Sequence, residues 1–478
     1  MPTRLIKSSL MFVALLPLFC LATTKNCKPN LLLIYTDDER WDAISYVTPS
    51  AYTPNLNQLA QQGRRFIQAA AVLPVCSPSR AAVLTGRYGM ANGQTAFVST
   101  TMNSDETTVA DHLRNAGYLT AQVGKWHIYG REPEDCGFDE VRNTGNTRDF
   151  WQPEVISNGV PIRAEGTAHD YVVDETISIV RKAHESEQPF AIYLATLEPH
   201  NKMFRGGGSE RMSEKTRQHY QLNPLDSLPA PPNIYDNLDN KPPYLKDYRG
   251  RINRTGKNGL RPMTPQRYQE CQYASFTMMT ELDDALGKLF HELEHLELLE
   301  NTYILFMGDN GLFQGEHGLM SKALHYEESV RVPFFAVGPG IIAGEDRQSL
   351  VANIDIAPTL LDLAELPIPA TMHGTSLKKL LTDGILLDRK YLLLEHPDVN
   401  PILETRTAFS LRSLKWKYIR SYENGKEQPY TFEELYSLEN DPFEQNNLAG
   451  NPEYAAVLHD VRTELEAQLQ KVQADLAP

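Results

Sequence analysis

The sequence predicts an α/β protein, with a large, mainly parallel sheet flanked by helices and a smaller C-terminal antiparallel sheet. Three observations support this prediction. Short apolar runs end abruptly in polar residues, the segments between the runs have helical periodicity, and the pattern changes to short strand-like runs after about residue 385. Alternating strands and helices are typical of a parallel sheet that is covered on both faces.

Four apolar runs have the length of a buried strand, and polar residues follow each of them. The runs are residues 31–35, 119–123, 190–197 and 303–307, and the residues that follow include Asp37, Lys125, His200 and Asp309. In open α/β sheets, ligands bind beyond the carboxyl ends of the strands. Each polar group alone is typical of a turn or a helix cap, but four groups at strand ends together predict a single site.

Helical spacing is clearest late in the chain, where leucines recur at i, i+4, i+7 and i+11. We expect these side chains to lie in the core: Leu282, Leu286, Leu289 and Leu293. Asn451 and Pro452 predict the start of a last helix, which should pack on the C-terminal sheet. Residues 201–265 are interrupted by proline and glycine, which predicts an ordered insertion or a mobile lid beside the site.

Composition and charge exclude several classes of protein. The 478 residues are 41% hydrophobic and 22% charged, as in folded soluble proteins rather than in disordered or membrane-spanning ones. The formal net charge of -15 argues against nucleic-acid binding, which depends on basic surfaces. An anionic ligand must therefore be held by local positive charge.

The N-terminus has the pattern of a secretory signal peptide, residues 1–22. Arg4 and Lys7 precede an apolar segment that is shorter than the roughly 20 residues needed to span a membrane. Phe19 directly before Cys20 disfavours a lipoprotein signal. We expect an exported protein, secreted or periplasmic, without an integral membrane segment. The cysteines that remain allow at most two disulfides: Cys27, Cys76, Cys136 and Cys271.

The segment 75–87, VCSPSRAAVLTGR, is the most informative in the chain. Ser77 is expected to cap a helix that begins at Pro78, which places Cys76 at a helix N-terminus, where free N–H groups favour an anion. Arg80, one turn further on, adds a bidentate donor for an oxyanion. The alternative to a functional cysteine is a buried free cysteine near an ordinary helix cap. This alternative requires that the CSPSR run arose by chance.

The CSPSR run and the LTGR after it resemble the signature of the type I, formylglycine-dependent sulfatases of the alkaline phosphatase superfamily. Further similar segments follow in that family's order over about residues 29–450: YTDDE, GKWH, EPH, GDNG, GEHGLMSK and ELYSLENDPFEQNNLA. The resemblance implies an alkaline-phosphatase-like α/β domain on a large mixed sheet. With the change of pattern at about residue 385, we expect a catalytic domain at 25–384 and a C-terminal α+β subdomain at 385–478.

The resemblance also implies the cofactors. It assigns one Ca²⁺ to Asp37, Asp38, Asp309 and Asn310, with an oxygen of modified Cys76 also on the metal. Hard oxygen donors of this kind independently favour Ca²⁺ or Mg²⁺ over Zn²⁺. In that family, a separate maturation enzyme converts the cysteine to Cα-formylglycine. The hydrate of this residue carries one hydroxyl that attacks sulfur and a second that expels sulfate.

Cationic and acid–base groups complete the implied site: Arg80, Lys125, His127, His200 and Lys322. By the same resemblance, His127 assists the release of sulfate, while His200 and Lys322 protonate or stabilise the departing oxygen. Independently of the family, His317 and Arg205 are candidates for contacts with substrate hydroxyls or carboxylates, although a solvated loop position explains them equally well.

These observations predict hydrolysis of sulfate esters on a sulfated polysaccharide or oligosaccharide. Two alternatives stay open. One is a phosphodiester or phosphonate monoester hydrolase of the same superfamily, and the other is a non-catalytic protein that binds sulfated glycans. The complete catalytic set disfavours the non-catalytic alternative. The sequence defines no oligomeric state.

Overall fold

The computed structural model describes residues 28–145, 150–200, 212–224, 228–246, 263–398, 404–422 and 429–474. The predicted signal peptide, Cys27 and Arg205 lie outside these ranges. The three cysteines inside them, Cys76, Cys136 and Cys271, are buried free thiols. None of the helices in the described ranges has the length and apolarity needed to cross a membrane.

The described strands are short, and most have two to seven residues. In chain order they are β1 (Asn30–Thr36), β2 (Arg64–Phe66), β3 (Ala69–Ala70), β4 (Leu119–Gly124), β5 (Glu140–Asn143), β6 (Glu154–Ser157), β7 (Val160–Arg163), β8 (Phe190–Ala195), β9 (Thr302–Gly308), β10 (Phe313–Gln314), β11 (Met320–Ser321), β12 (Phe334–Val337), β13 (Gly344–Asp346), β14 (Val351–Ala352), β15 (Leu392–His396), β16 (Thr407–Arg412), β17 (Trp416–Tyr422) and β18 (Phe432–Ser437).

The α-helices lie between and after these strands. They are α1 (Pro54–Gln61), α2 (Cys76–Thr85), α3 (Gly89–Asn92), α4 (Val109–Asn115), α5 (Ala168–Glu185), α6 (Glu214–Leu222), α7 (Pro265–His295), α8 (Glu327–Val330), α9 (Ile356–Leu363), α10 (Lys378–Asp383) and α11 (Ala455–Ala474). Short 3₁₀ helices occupy Pro133–Cys136, Pro232–Tyr235, Pro243–Lys246, Leu299–Asn301, Glu316–Gly318, Asn353–Asp355 and Pro452–Tyr454.

Ten strands form one mixed sheet in the order β13-β2-β12-β9-β1-β8-β4-β5-β6-β7. The central strands β9, β1, β8, β4 and β5 are parallel to one another, whereas β12 and the β6–β7 hairpin run antiparallel to their neighbours. The α/β fold that the sequence predicts is therefore confirmed, and the strands that make the sheet mixed lie towards its edges.

The core lies on both faces of the large sheet. Along β1, Leu31 and Leu33 pack into one cluster, while Leu32 and Ile34 pack into the other. The strand is apolar on both sides because helices cover both faces, α2, α4 and α9 on one and α1, α5 and α7 on the other. The four leucines predicted for the core of α7 are fully buried: Leu282, Leu286, Leu289 and Leu293.

A second, smaller sheet follows near the C-terminus, as predicted. Strands β15 to β18 form an antiparallel meander, and α11 packs against it through its apolar face. Asn451 accepts a hydrogen bond from Glu453 N at 3.0 Å. This residue caps a 3₁₀ turn that begins at Pro452 and leads into α11.

Buried ion pairs join this small sheet to the segment after β11. Glu327, at the start of α8, receives Arg412 Nε and Nη2 at 2.9 and 2.8 Å. Lys417 Nζ lies 2.6 Å from Glu327 Oε1, and Glu444 accepts the Glu327 backbone N–H at 2.7 Å. We call these four residues the Glu327 network. Its side chains come from α8, β16, β17 and the loop after β18, so it holds these elements together.

The parts of the predicted insertion that the structure describes are folded. Helix α6 begins at Glu214 and is capped by Ser213, whose Oγ accepts Thr216 N at 3.2 Å. Tyr220 of the same helix is hydrogen-bonded to Thr280 of α7 at 3.0 Å. Helix α6 therefore packs onto α7, while Lys241 of the same insertion donates to Tyr436 of the small sheet at 3.0 Å.

Candidate active site

Polar side chains follow the carboxyl ends of four neighbouring strands, β1, β4, β8 and β9, at one edge of the large sheet. They are Asp37, Asp38, Lys125, His200, Asp309 and Asn310. Backbone hydrogen bonds fix the loops that carry them: Asp309 N donates to Thr36 O at 2.9 Å and Lys125 N donates to Ala195 O at 2.8 Å. The structure thus brings together the four groups that the sequence predicts at strand ends.

Helix α2 presents Cys76 to the same edge. The helix begins at Cys76 itself, after an extended Val75 (φ -144°, ψ 134°), so the expectation that Ser77 caps a helix from Pro78 is wrong. Ser77 already lies inside the first turn, and its Oγ instead donates to Phe97 O at 3.0 Å. Cys76 is completely buried, and burial raises the pKa of its thiol.

Arg80 lies one turn along α2 and is completely buried. Its Nε and Nη2 donate to Asp309 Oδ2 at 3.2 and 2.9 Å. Its Nη1 donates to Lys125 O at 3.1 Å and to the Tyr193 hydroxyl at 3.4 Å. The guanidinium therefore connects the loops after β9 and β4 while it supplies positive charge beneath the site.

Asp37 pairs with a second buried cation. Lys125 Nζ donates to Asp37 Oδ2 at 2.5 Å. Burial alone would raise the pKa of Asp37, but the neighbouring Lys125 holds it well below its usual range, so the carboxyl is ionised. The other oxygen, Oδ1, has no hydrogen-bond donor among the described residues, and Arg80 Nη2 lies 3.7 Å away.

Lys322 reaches the site from the segment after β11. Its Nζ donates to Asp38 Oδ1 and contacts Cys76 Sγ, and it lies 3.3 Å from Asn310 Oδ1. Asn310 Nδ2 donates to Asp38 Oδ1 at 2.8 Å. Burial disfavours the charge on Lys322, but the carboxylate of Asp38 raises the pKa of the ammonium well above its usual value, so it stays protonated.

We call this set the Cys76 cluster: Asp37, Asp38, Cys76, Arg80, Lys125, Asp309, Asn310 and Lys322. Its charged groups are three carboxylates and three cations, and all of them are buried. Their number and burial require a defined arrangement, because an unpaired charge away from water is costly.

The cluster also fits a divalent metal ion. One ligand atom each from Asp37, Asp38, Cys76 and His200 lies within 4.8 Å of the others. Asp37 Oδ1, to which no donor in the described part of the chain is hydrogen-bonded, is a buried oxygen of the kind a cation would satisfy. Carboxylate and amide oxygens are the donors that hard cations prefer, so the residues present suit Ca²⁺ or Mg²⁺.

Two histidines border the Cys76 cluster. His127 is 7% exposed, has a left-handed backbone (φ 55°) and lies 3.3 Å from the Tyr129 hydroxyl through Nε2. His200 Nε2 is 3.6 Å from Asp38 Oδ2, and 26% of its side chain is exposed. Burial lowers the pKa of both imidazoles, so both are neutral near pH 7.

His317 and Arg205 are not brought to this cluster. Arg205 lies outside the described residues. His317 is completely buried, with Nδ1 at 2.8 Å from Asp236 Oδ2 and Nε2 at 3.1 Å from Asn233 Nδ2. Asp236 and Asn233 belong to the insertion, and their packing against the GEHG loop is what covers His317.

His317 belongs instead to a second group of buried potential ligands, with Glu328 and Glu444. Lys417 Nζ lies 3.3 Å from Glu444 Oε1, and Asn233 Nδ2 donates to Glu328 Oε1 at 2.9 Å. A lysine and an amide therefore already face these carboxylates.

Two residues near the cluster escaped the sequence reasoning. Glu39 is completely buried beside Asp309, and burial raises the pKa of its carboxyl to about 8. Tyr129 contacts His127. Glu39 is the last residue of the YTDDE segment and Tyr129 lies two residues beyond GKWH, so examining every residue of the first motif and the residues just after the second would have found them.

Comparison with known proteins finds matches along most of the chain. The family model described as Sulfatase matches residues 29–366, and the model described as N-sulphoglucosamine sulphohydrolase, C-terminal, matches residues 315–473. An N-acetylglucosamine-6-O-sulfatase of Bacteroides thetaiotaomicron is 29% identical, over 94% of this chain and 88% of that protein. An ulvan-active sulfatase of Formosa agariphila is 28% identical, over 94% of this chain and 82% of that protein.

Solved structures show the same fold. One structure, described as a complex with its substrate D-glucosamine-2-N,6-O-disulfate, superposes with a TM-score of 0.83 at 25% identity, over 94% of this chain and 98% of that chain. A phosphonate monoester hydrolase from Silicibacter pomeroyi superposes with a TM-score of 0.74 at 20% identity, over 92% of this chain and 95% of that chain. The second likeness extends to the fold alone.

Proposed function

The chain belongs to the sulfatase family, and from this premise we propose that it is an exported enzyme that hydrolyses sulfate esters of a sulfated carbohydrate. The observation that carries the proposal is the convergence of three buried cations and three carboxylates on the small, fully buried side chain of Cys76. A sulfate monoester resists hydrolysis because its negative oxygens repel a nucleophile and its alkoxide leaves poorly. The Cys76 cluster supplies groups that oppose both obstacles.

Sulfate binding follows from the charges around Cys76. Lys322 Nζ contacts Cys76 Sγ, and Lys125 Nζ donates a hydrogen bond to the neighbouring Asp37. Helix α2 begins at Cys76, so its first N–H groups lie in the same region. Sulfate oxygens placed beside Cys76 would meet these donors in a site from which water is largely excluded, where each hydrogen bond is stronger than in bulk water.

Two absent groups complete the proposed site. A Ca²⁺ held by Asp37, Asp38, Asp309 and Asn310 would supply positive charge to the sulfate oxygens. Formylglycine formed from Cys76 would supply a geminal diol, one hydroxyl of which is the nucleophile. The chain's own contribution is to keep these positions aligned, because Arg80 ties Asp309 to the loop of Lys125.

Proton transfer falls to the residues at the border of the Cys76 cluster. His200 is the more exposed of the two histidines and lies beside Asp38, so it can donate a hydrogen bond to the departing alkoxide. Lys322 stays charged and stabilises negative charge on that oxygen. His127, neutral and held on the opposite side by Tyr129, can accept a proton during sulfate release.

The carbohydrate class rests on the relatives. The N-acetylglucosamine-6-O-sulfatase and the ulvan-active sulfatase both act on sugars by name, and the structure at 25% identity holds a disulfated glucosamine. A 6-O-sulfated glucosamine unit is therefore the first substrate to test.

Export and domain division complete the proposal. The signal-like residues 1–22 direct the chain to a secreted or periplasmic location, and a maturation enzyme converts Cys76 before the chain folds. Residues 25–384 form the catalytic domain and 385–478 the C-terminal subdomain. The Glu327 network joins the two across this boundary.

Product release across a panel of substrates, measured as sulfate from sulfate esters and as the released alcohol from phosphorus esters, tests the function. The panel contains sulfated polysaccharides, 6-O-sulfated glucosamine, an aryl sulfate, a phosphodiester and a phosphonate monoester, and Cys76→Ala is the blank. We expect a sulfated saccharide to turn over fastest. Faster turnover of phosphorus esters would establish the alternative hydrolase. Saturable glycan binding without turnover, in protein whose Cys76 is converted, would establish a binding protein.

A further inference from the structure

Tyr129 lies in the loop after β4, two residues beyond His127. Its hydroxyl is 3.3 Å from His127 Nε2, and the two rings meet nearly edge to face, with centroids 5.5 Å apart at 69°. The Phe97 ring meets His127 from another direction, at 5.3 Å and 87°. The imidazole is therefore confined by two aromatic rings, and one of them adds a hydrogen bond.

The backbone of Tyr129 is fixed on both sides. Gln94 Oε1 accepts Tyr129 N at 3.1 Å, and Met102 N donates to Tyr129 O at 2.9 Å. Gln94 Nε2 also donates to Thr100 O at 2.7 Å, which ties Tyr129 to the loop that carries Phe97. This loop is the one that Ser77 holds against α2, so Tyr129 and the helix of Cys76 share one support.

The hydrogen bond between Tyr129 and His127 is compatible with two tautomers. If the phenol donates to Nε2, the ring proton lies on Nδ1, and if Nε2–H donates to the phenol oxygen, Nδ1 is unprotonated. The imidazole of His127 is neutral because burial lowers its pKa. Because Nε2 faces Tyr129, His127 can accept a proton during sulfate release only at an unprotonated Nδ1, so the proposed reaction requires the tautomer whose Nε2–H donates to Tyr129.

Resting on the sulfatase reaction proposed above, we propose that Tyr129 is a positioning residue, whose hydroxyl fixes the ring orientation and the tautomer of His127. Its effect on turnover is indirect and passes through His127. Removing the hydroxyl while keeping the ring leaves the aromatic packing intact but frees the imidazole to exchange tautomers.

The first test does not depend on a loaded site. Unconverted protein labelled with ¹⁵N-histidine is compared as wild type and Tyr129→Phe, with His127→Asn to assign the signals. We expect wild-type His127 to show the Nε2–H tautomer and Tyr129→Phe to shift towards a mixture. Tyr391→Phe, a half-buried tyrosine of the small domain, is the control and should leave the signals unchanged.

The second test uses converted enzyme. The loss of one neutral hydrogen bond predicts a fall of about tenfold in kcat for Tyr129→Phe, with KM and melting temperature little changed. A fall in kcat without a change in the ring signals would show that Tyr129 acts on the substrate directly and would overturn the proposal. Unchanged kcat and signals would overturn it too. Lack of sulfate turnover in wild type would refute the proposed function instead, because the ring signals are read independently of it.

Discussion

The Cys76 cluster and the Glu327 network are both buried groups of acidic and basic side chains, yet they are organised differently. In the Glu327 network, both oxygens of Glu327 are matched by Arg412, and Lys417 adds a third contact. In the Cys76 cluster, the charges surround a small side chain that stays neutral because burial raises the pKa of its thiol.

The supporting elements differ as well. Arg412 and Lys417 project from strands β16 and β17, whereas Lys125, Asp309 and Lys322 lie in the segments just beyond β4, β9 and β11. A buried carboxylate whose two oxygens both accept from one guanidinium holds architecture together. Three cations that converge around a small neutral side chain are arranged for a ligand. The same residue types therefore serve structure in one place and chemistry in the other, and mutations should separate the two.

The largest expected effect is at Cys76. Cys76→Ala removes the nucleophile, and we expect sulfate turnover to fall by at least about 10³-fold. Cys76→Ser should likewise sustain no turnover, because a single hydroxyl cannot expel sulfate. Melting temperature should change little, since the side chain is small. Sulfate release and thermal unfolding are measured together, with Cys271→Ala as the matched control. Normal activity in protein shown by peptide mass spectrometry to lack the aldehyde would contradict the mechanism.

Metal removal comes next. Exhaustive chelation should abolish activity and lower the melting temperature, and Ca²⁺ should restore both, because a ligand that binds only the folded state at about 100 times its Kd adds about 3 kcal/mol of stability. Asp37→Asn should retain less Ca²⁺ by elemental analysis. Asp174→Asn, at an exposed position on α5, should retain the wild-type amount. Full activity in metal-free protein would refute the assignment.

The Glu327 network should respond in the opposite way. Lys417→Met leaves Glu327 and Glu444 with less compensation, and we expect a loss of about 3–5 kcal/mol in the free energy of unfolding. Activity per folded molecule should stay within a few-fold of wild type. Lys415→Met removes a neighbouring lysine that is 68% exposed and should cost under about 1 kcal/mol. Denaturant unfolding and active-site titration measure the two quantities. An equal loss of unfolding free energy in both variants would contradict the structural role assigned to the Glu327 network.

The smallest effect concerns pH. His396 is the last residue of β15 in the small sheet, and His325 lies two residues before α8, with the two ring centroids 6.5 Å apart. Burial lowers the pKa of His396 to about 4 and lowers that of His325 as well. In the unfolded chain both titrate near 6.5, so the unfolded state binds more protons between about pH 6.5 and 4.

Both histidines should therefore stabilise the fold fully above about pH 6.5 and lose this contribution as the pH drops towards 4, by about 3 kcal/mol for His396. His396→Asn should flatten this slope in urea titrations across that range. His459→Gln, on the exposed face of α11, should leave the slope unchanged. A slope that His396→Asn does not alter would show that other groups control acid stability.

The sequence predicts the centre of this molecule better than its edges. Runs such as 31–35 and 303–307 are apolar on both faces, so the sequence alone predicts that they are central parallel strands. Strands β2, β3 and β10 to β14 have only two to four residues and carry no periodicity. Their pairing depends on partners far along the chain, which no local pattern reveals.

The same limit applies to the candidate site. The strand-end positions of Asp37 and Asp309 follow from topology, so they were predictable. The contact of Lys322 with Cys76 joins residues 246 positions apart, and it rested on resemblance alone. His317 lies in a motif as distinctive as the others, but its burial depends on Asp236 from the insertion. The insertion shows no helical or strand periodicity in the sequence, so its packing against His317 could not be predicted.

The partners of β1 lie far along the chain, and this affects the order in which parts of the fold can form. Asn30 bonds to partners 160 and 272 residues later, in β8 and β9, so the middle of the sheet forms only after most of the polypeptide is available. Non-local pairings of this kind slow folding. Cys76 becomes fully enclosed only when those strands and Lys322 arrive. Any enzyme that modifies this cysteine must therefore work within the interval between synthesis of residue 76 and closure of the sheet, and variants that fold faster would shorten its opportunity.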